Sequence, residues 1–233
     1  MIEMKNGPTL FDFDRLAAGY DGWYESPEGK RYDKLEKKAL RRLFGGPKRG
    51  ATLLEVGMGT GWWSRFFSEL GFVVTGIDIS PMMVAAARSK RIPNAAFGLA
   101  DAHDMPFEDG RFSVSAAITT IEFTGEPESV IREMVRCTKP GGILVFGVLN
   151  AASPINRRRR HHAGGPFHSA RFFTMEELHG LLSPYGDTVS RCCAFPLSMR
   201  VPAPLAQIAD DGMASMKRKT GAFIAIRTER SPG

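Results

Sequence analysis

With 233 residues, 43% of them hydrophobic and 24% charged, the chain has the make-up of a folded globular protein, which excludes wholesale disorder and any need for staples. Its 31 Lys and Arg exceed its 25 Asp and Glu by six. Part of that surplus sits in one run, Arg157-Arg158-Arg159-Arg160, so it describes a local feature rather than a basic face.

The first fifty residues read as helical with interruptions. Residues 11–20 mix aromatic and charged positions, then Gly22 and Ser26-Pro27 break the pattern. Over residues 32–44, Leu35, Ala39, Leu40 and Leu43 recur at helical spacing among lysines and arginines, and Gly45-Gly46-Pro47 stops that helix. An alternation follows. Short apolar runs at residues 52–56, 72–77, 95–99, 112–118 and 143–149 are separated by helical stretches at 62–70, 81–88 and 127–137. Ser80-Pro81 suits an N-cap and a first helical position. Strands apolar on both faces and spaced by helices predict a parallel sheet covered on both sides.

After Asn150 the rhythm breaks. Residues 151–171 read as a loop rich in Arg, His, Gly and Pro. Thr174 and Glu177 form a capping box for a helix over 174–182. Residues 189–195 and 222–228 read as two final strands, with an irregular stretch and a weak helix at 205–216 between them. No linker marks a second domain. The expected organisation is one domain over 1–233, with a helical cap to residue 50, a core over 51–149, and a substrate-side loop and last strands over 150–233.

The segment Glu55-Val56-Gly57-Met58-Gly59-Thr60-Gly61 leaves a strand and enters a helix, where glycines let the backbone turn and a ligand approach the main chain. A small-residue βα turn is the bland alternative. A dinucleotide site is the sharper rival, but G-x-G-x-x-G needs its third glycine where Trp62 stands. The acidic Glu55 beside the loop repels phosphate and favours an ammonium. Asp78 ends the second strand, where a carboxylate suits ribose hydroxyls, and it also suits the start of the next helix. Asp101 follows the third strand and suits an exocyclic amine, or a plain turn. Together they fall at successive strand C-termini, the ligand-binding end of open α/β sheets.

Those motifs, with Gly76-Ile77-Asp78-Ile79-Ser80-Pro81-Met82-Met83, Asp101-Ala102 and Lys139-Pro140-Gly141-Gly142, resemble the class I S-adenosylmethionine-dependent methyltransferases, in the branch related to quinone biosynthesis. The likeness runs from about Phe13 to Leu149. It implies a Rossmann-like, doubly wound sheet of seven strands, mostly parallel with the last antiparallel, under an N-terminal helical cap. It implies that Gly57, Met58, Gly59, Thr60 and Gly61 surround the methionine moiety, with Glu55 beside them and Asp78 on the ribose. Ile79 and Met83 would flank adenine, Asp101 and Ala102 would meet its edge, and Thr119 would lie near the sulfonium. Phe13-Asp14-Arg15-Leu16-Ala17-Ala18-Gly19-Tyr20-Asp21 also resembles that branch, with Tyr20 packing over the cofactor. Tyr20 and Trp23 equally suit hydrophobic anchors for the cap. Ser113 stands where the family often has aspartate.

The implied reaction is in-line transfer of a methyl group from S-adenosyl-L-methionine, leaving S-adenosyl-L-homocysteine. No catalytic residue is assigned. Glu122 reads as a solvated loop carboxylate, His103 as a turn residue, and His168 carries no further signal. Cys137, Cys192 and Cys193, odd in number and two adjacent, point to a reduced, cytoplasmic setting, and the paired two read as buried structural thiols rather than thiophilic machinery. His161-His162 lacks a partner at ligand spacing, so no metal is expected. Residues 1–10 lack a signal-peptide core, and no run reaches the ~18 apolar residues of a membrane span.

The arginine run reads as a solvated mobile loop, or as a contact for an anionic substrate, a membrane surface or RNA. Phe167, Phe172 and Phe173 look like packing at a helix entry rather than a stacking platform. The expected acceptor is therefore a small molecule, anionic or lipid-like, with nucleic acid disfavoured and both monomer and homodimer open. The alternatives are a non-catalytic S-adenosylmethionine-binding module, an RNA or protein methyltransferase, and a nicotinamide-dependent oxidoreductase.

Overall fold

The computed structural model describes residues 10–44, 50–161 and 166–232. The expected stop at Gly45-Gly46-Pro47, and His162, lie outside them. Seven strands form one sheet: β1 (Thr52–Val56), β2 (Val73–Asp78), β3 (Ala95–Leu99), β4 (Phe112–Ile118), β5 (Thr138–Leu149), β6 (Gly186–Cys193) and β7 (Phe223–Arg230). Their order is β3-β2-β1-β4-β5-β7-β6. Pairing is parallel from β3 to β5, and β7 lies antiparallel to both neighbours, Phe146 facing Ile226 and Ser190 facing the same residue from the other side. This is the architecture that the motif set implies.

The helices are α1 (Tyr20–Glu25), α2 (Pro27–Phe44), α3 (Trp62–Glu69), α4 (Pro81–Ser89), α5 (Pro127–Cys137), α6 (Pro154–Arg160), α7 (Pro166–Ser169), α8 (Met175–Leu182) and α9 (Ala203–Ser215). Side chains alternate across each strand, so each of the two sheet faces needs its own cover. Along β5, Ile143 and Val145 point to a layer with Leu40 and Phe44 of α2 and Phe66 and Phe67 of α3. Leu144, Phe146 and Val148 point the other way, to Val130 and Met134 of α5 and Leu178 and Leu182 of α8. Cys137, Cys192 and Cys193 are free and buried. Among the described residues, no helix is long and apolar enough to cross a membrane.

Three departures have physical causes. Pro27 does not break the helix but opens it: the Ser26 hydroxyl accepts the Gly29 N–H at 2.9 Å, and α2 begins five residues before the apolar spacing does. The Lys139-Pro140-Gly141-Gly142 turn is absorbed into β5. Thr138 already pairs with Phe112, and the register slips before Ile143 pairs with Val114.

The third departure corrects the loop expected over 151–171. The arginine run is the last turn of α6, capped by Ser153 with Pro154 in its first turn. The buried Asn156 amide donates to Asn150 O at 3.0 Å and to Ala222 O at 2.6 Å, pinning this helix to the end of the sheet. Arginines at a helix C-terminus also suit its negative end.

Candidate functional site

The strand order reverses between β1 and β4, so the loops leaving these strands part and open a crevice. Gly57 and Gly59 line it with backbone in the left-handed region, at φ 66° and 55°. A Cβ on Gly57 would lie 2.2 Å from Thr120 Cγ2, so the residue must be glycine on space as well as on torsion. The Thr120 hydroxyl donates to Val56 O at 3.1 Å, which ties β4's exit to β1's.

Asp78 closes the other side of the loop. Its Oδ2 accepts the Gly59 N–H at 2.8 Å and its Oδ1 the Ser80 N–H at 2.9 Å. Burial pushes this carboxyl up, against the pull of those amides. Ser80 caps α4 by accepting the Met83 N–H, as the Ser-Pro pair suggests, and its hydroxyl also meets Asp14. Ile79 and Met83 supply an apolar wall. Asp101 Oδ1 accepts both the backbone N–H and a ring nitrogen of His103, at 2.9 and 2.7 Å, so His103 orients Asp101.

The structure thus brings Tyr20, Gly57, Gly59, Asp78, Ile79 and Met83 to one cavity with Asp101, Ala102 and Thr119. Four other residues of the motif do not line it. Glu55 is 1% exposed, turned inward onto the Ser64 hydroxyl, and pushed by burial up to about 8. Met58 packs against Val84 and Ala87 beneath the loop. Thr60 is buried with its hydroxyl on Asp21 Oδ1 at 2.6 Å. Gly61 is the left-handed N-cap of α3, at φ 78°.

Residues that motif reading passed over also line the cavity: Phe13, Thr120, Phe123 and Thr124. The last three directly follow β4, so the rule that singles out strand C-termini points at them too. Thr119 carries strain there, at φ 49° with its N–H on Gly147 O at 2.7 Å. Glu122 needs correcting. It is not a solvated loop carboxylate but fully buried: its Oε1 accepts the Leu149 N–H at 2.7 Å, and its Oε2 has no hydrogen-bond partner among the described residues. The turn Ile121–Phe123 folds it inward, and burial pushes it up to about 8. Among the described residues no group of His, Cys, Asp and Glu is placed to hold a metal ion.

Phe13, Tyr20, Thr119 and Phe123 also wall a second cavity of about 400 Å³, between the N-terminal helices and α6. Tyr24 of α1 stacks on Trp62 of α3 at 4.5 Å, and Trp62 Nε1 donates to Asp33 of α2 at 2.6 Å, which docks the cap over the crevice.

Residues 54–146 match a family model described as a methyltransferase domain. The chain is 34% identical to an uncharacterized protein of Mycobacterium bovis over 188 residues, 77% of this chain and 61% of that one. It is 29% identical to malonyl-[acyl-carrier protein] O-methyltransferase of Serratia marcescens over 143 residues, 60% of this chain and 52% of that one. It therefore spans less than two thirds of either relative's length. A solved S-adenosylmethionine-dependent methyltransferase of Thermotoga maritima, described as a possible histamine N-methyltransferase, superposes with a TM-score of 0.72 at 24% identity, over 94% of this chain and 98% of that one. Phosphoethanolamine N-methyltransferase 2 of Haemonchus contortus, solved with S-adenosyl-L-methionine, gives 0.68 at 18% identity, over 96% and 60%. Both likenesses concern the fold. Residues 54–146 of this chain thus match a methyltransferase domain, and the chain shares the fold of solved S-adenosylmethionine-dependent methyltransferases.

Proposed function

We propose that the protein transfers the methyl group of S-adenosylmethionine to a small-molecule acceptor. The observation that carries this reading is the convergence of Gly57, Gly59, Asp78, Asp101 and Thr119 on one cavity at the strand ends. The residues present suit that cofactor. A carboxylate offers about four acceptor positions. Asp78 takes the Gly59 and Ser80 amides, with the Ile79 amide also pulling on it, and keeps capacity for a ribose hydroxyl. Asp101 spends only Oδ1, on His103, leaving Oδ2 for the adenine amine. Ile79 and Met83 offer apolar faces to the purine, and bare backbone at Gly57 and Gly59 gives the methionine tail room.

When bound, the cofactor supplies a methyl carbon on a positively charged sulfur, electrophilic without further activation. The chain's part is then alignment, which can supply ~7–11 kcal/mol of a barrier. Tyr20, Phe13, Thr119 and Phe123 wall both cavities, so an acceptor in the second is held against the first across them. The rings of Phe13, Tyr20 and Phe123 make that boundary apolar. A base is required only where the acceptor must lose a proton. The second cavity, a partly open pocket of about 400 Å³ with mostly apolar walls, favours a small molecule over RNA or a folded protein.

Titration calorimetry with S-adenosylhomocysteine tests the cofactor half, and release of S-adenosylhomocysteine from S-adenosylmethionine with candidate acceptors tests the transfer. Micromolar binding is expected, and no heat with either ligand overturns the reading.

A further inference from the structure

The second cavity, at about 400 Å³, is of a size that encloses small organic ligands. Phe13, Leu16, Tyr24, Phe123, Leu149 and Phe167 make its walls apolar. Besides Arg15 at the rim, solvent-facing and paired with Asp12, two charged side chains from different elements enter it, Glu36 from the middle of α2 and Arg159 from the last turn of α6.

Both have unspent bonding capacity. Glu36 is 7% exposed and, among the described residues, meets its surroundings through charge alone. A buried carboxyl in that state is costly unless something completes it. The Arg159 guanidinium, 17% exposed, lies over the Tyr32 ring at 4.6 Å and the Phe167 ring at 5.5 Å. Its polar partners are weak: Asn156 Oδ1 at 3.4 Å and the solvent-facing Glu28 at 3.8 Å. Five N–H donors on a stacked, oriented plane suit a carboxylate.

Resting on the methyltransferase reading above, we propose that this chamber is the acceptor site and that it takes an apolar, ring-bearing molecule with one acidic group, which Arg159 and Glu36 hold together. The atom to be methylated lies at the other end, against Thr119 and Tyr20.

Charge balance selects the acid over an amine. Burial pushes Glu36 up to about 8, with Asp33 and Glu122 pushing the same way and Arg159 and Lys37 opposing. Tyr24 on α1 and Cys193 on β6 also interact with it and are themselves held neutral by burial. At neutral pH the chamber therefore contains a guanidinium beside an uncharged carboxyl, a net positive charge among apolar walls. An ammonium would add to that charge. A carboxylate neutralises it and gives the Glu36 hydroxyl an acceptor.

The test is calorimetry on the full chain saturated with S-adenosylhomocysteine, using 2-naphthoate, 2-naphthylmethanol and 2-naphthylmethylamine as probes of one shape. At neutral pH the naphthoate should bind at least about tenfold tighter than the other two, and Arg159→Met should cost it at least about tenfold. Glu36→Gln should keep naphthoate binding, because a neutral donor remains. Above pH 8 the wild-type affinity should fall by about tenfold per pH unit while that of Glu36→Gln stays level. Equal affinities, a preference for the amine, or loss of naphthoate in Glu36→Gln overturns the proposal. If Arg159→Met fails to fold, the wild-type and Glu36→Gln titrations decide alone. Binding of S-adenosylhomocysteine without naphthoate defeats this inference and leaves the cofactor reading standing. Absence of S-adenosylhomocysteine binding defeats the latter, and naphthoate is then titrated into the chain alone.

Discussion

The Thr60 hydroxyl donates to Asp21 Oδ1 at 2.6 Å, so the glycine loop is bonded through a buried side chain to the first helix of the cap. Lys90, at the end of α4, pairs with the other oxygen of the same carboxylate. One carboxylate therefore ties the cap both to the glycine loop and to α4 below it. Asp21→Ala should weaken S-adenosylhomocysteine binding by about tenfold, near 1.4 kcal/mol, although Asp21 lines neither cavity. Thr60→Val should cost less, because it breaks only the hydroxyl bond whereas Asp21→Ala also frees Lys90, and calorimetry on the double variant should match Asp21→Ala alone.

The two glycines that line the crevice should separate stability from binding. Gly57→Ala places a methyl 2.2 Å from Thr120 Cγ2 on left-handed backbone, and thermal unfolding should show a loss of about 2–4 kcal/mol. Thr120→Ala should restore part of that loss by removing the clash. Gly59→Ala meets nothing closer than the Tyr20 ring at 3.8 Å, so it pays only for torsion, about 1 kcal/mol, and should fold. Its cost should appear mainly in S-adenosylhomocysteine affinity.

Asp78 has a structural duty besides its proposed ribose contact. Asp78→Ala frees the Gly59 and Ser80 amides at once and should lower both melting temperature and S-adenosylhomocysteine affinity, the latter by more than about tenfold. Asp78→Asn keeps one carbonyl oxygen for the Gly59 amide, so it should melt closer to wild type while still binding weakly. Equal melting temperatures for the two variants would count against the loop-holding duty.

Buried carboxyls give stability a defined pH dependence. Burial raises Glu122 from 4.5 to about 8, so the folded chain holds this proton over a range where the unfolded chain releases it. The group's stabilising contribution is thus whole below about pH 4.5 and is lost as pH rises to about 8, by about 1.4 kcal/mol per pH unit. Glu36 and Glu55 act in the same direction. Glu122→Gln should flatten part of that slope between pH 5 and 8 in denaturant titrations. A slope unchanged in the variant would refute the assignment.

What could be read from the sequence was what local chemistry decides. The Ser80-Pro81 start, the Thr174–Glu177 capping box and the alternation of buried strands with helices all stand in the structure, because each is settled within a few residues. The loop expected around the arginine run is a helix that Ser153-Pro154 starts locally, as Ser80-Pro81 starts α4, while its anchor, the Asn156 bond to Ala222, lies 66 residues away and has no local sign. The inward turn of Glu122 likewise depends on the Leu149 amide of a strand 27 residues away. The glycine motif marks a loop but not which of its residues face out. Left-handed torsions at Gly57, Gly59 and Gly61 turn Met58 and Thr60 into the interior.

The position of β7 bears on how the molecule assembles. It follows β6 in the chain yet lies between β6 and β5. β6 therefore has no sheet neighbour until β7 exists, and β5 keeps an unpaired edge until the same moment. The five parallel strands can dock in the order of synthesis, whereas the last pair must close together by contacts distant in sequence, a slow step in folding kinetics. During that interval the open β5 edge, like the β3 edge at the far side of the sheet, can pair with another chain.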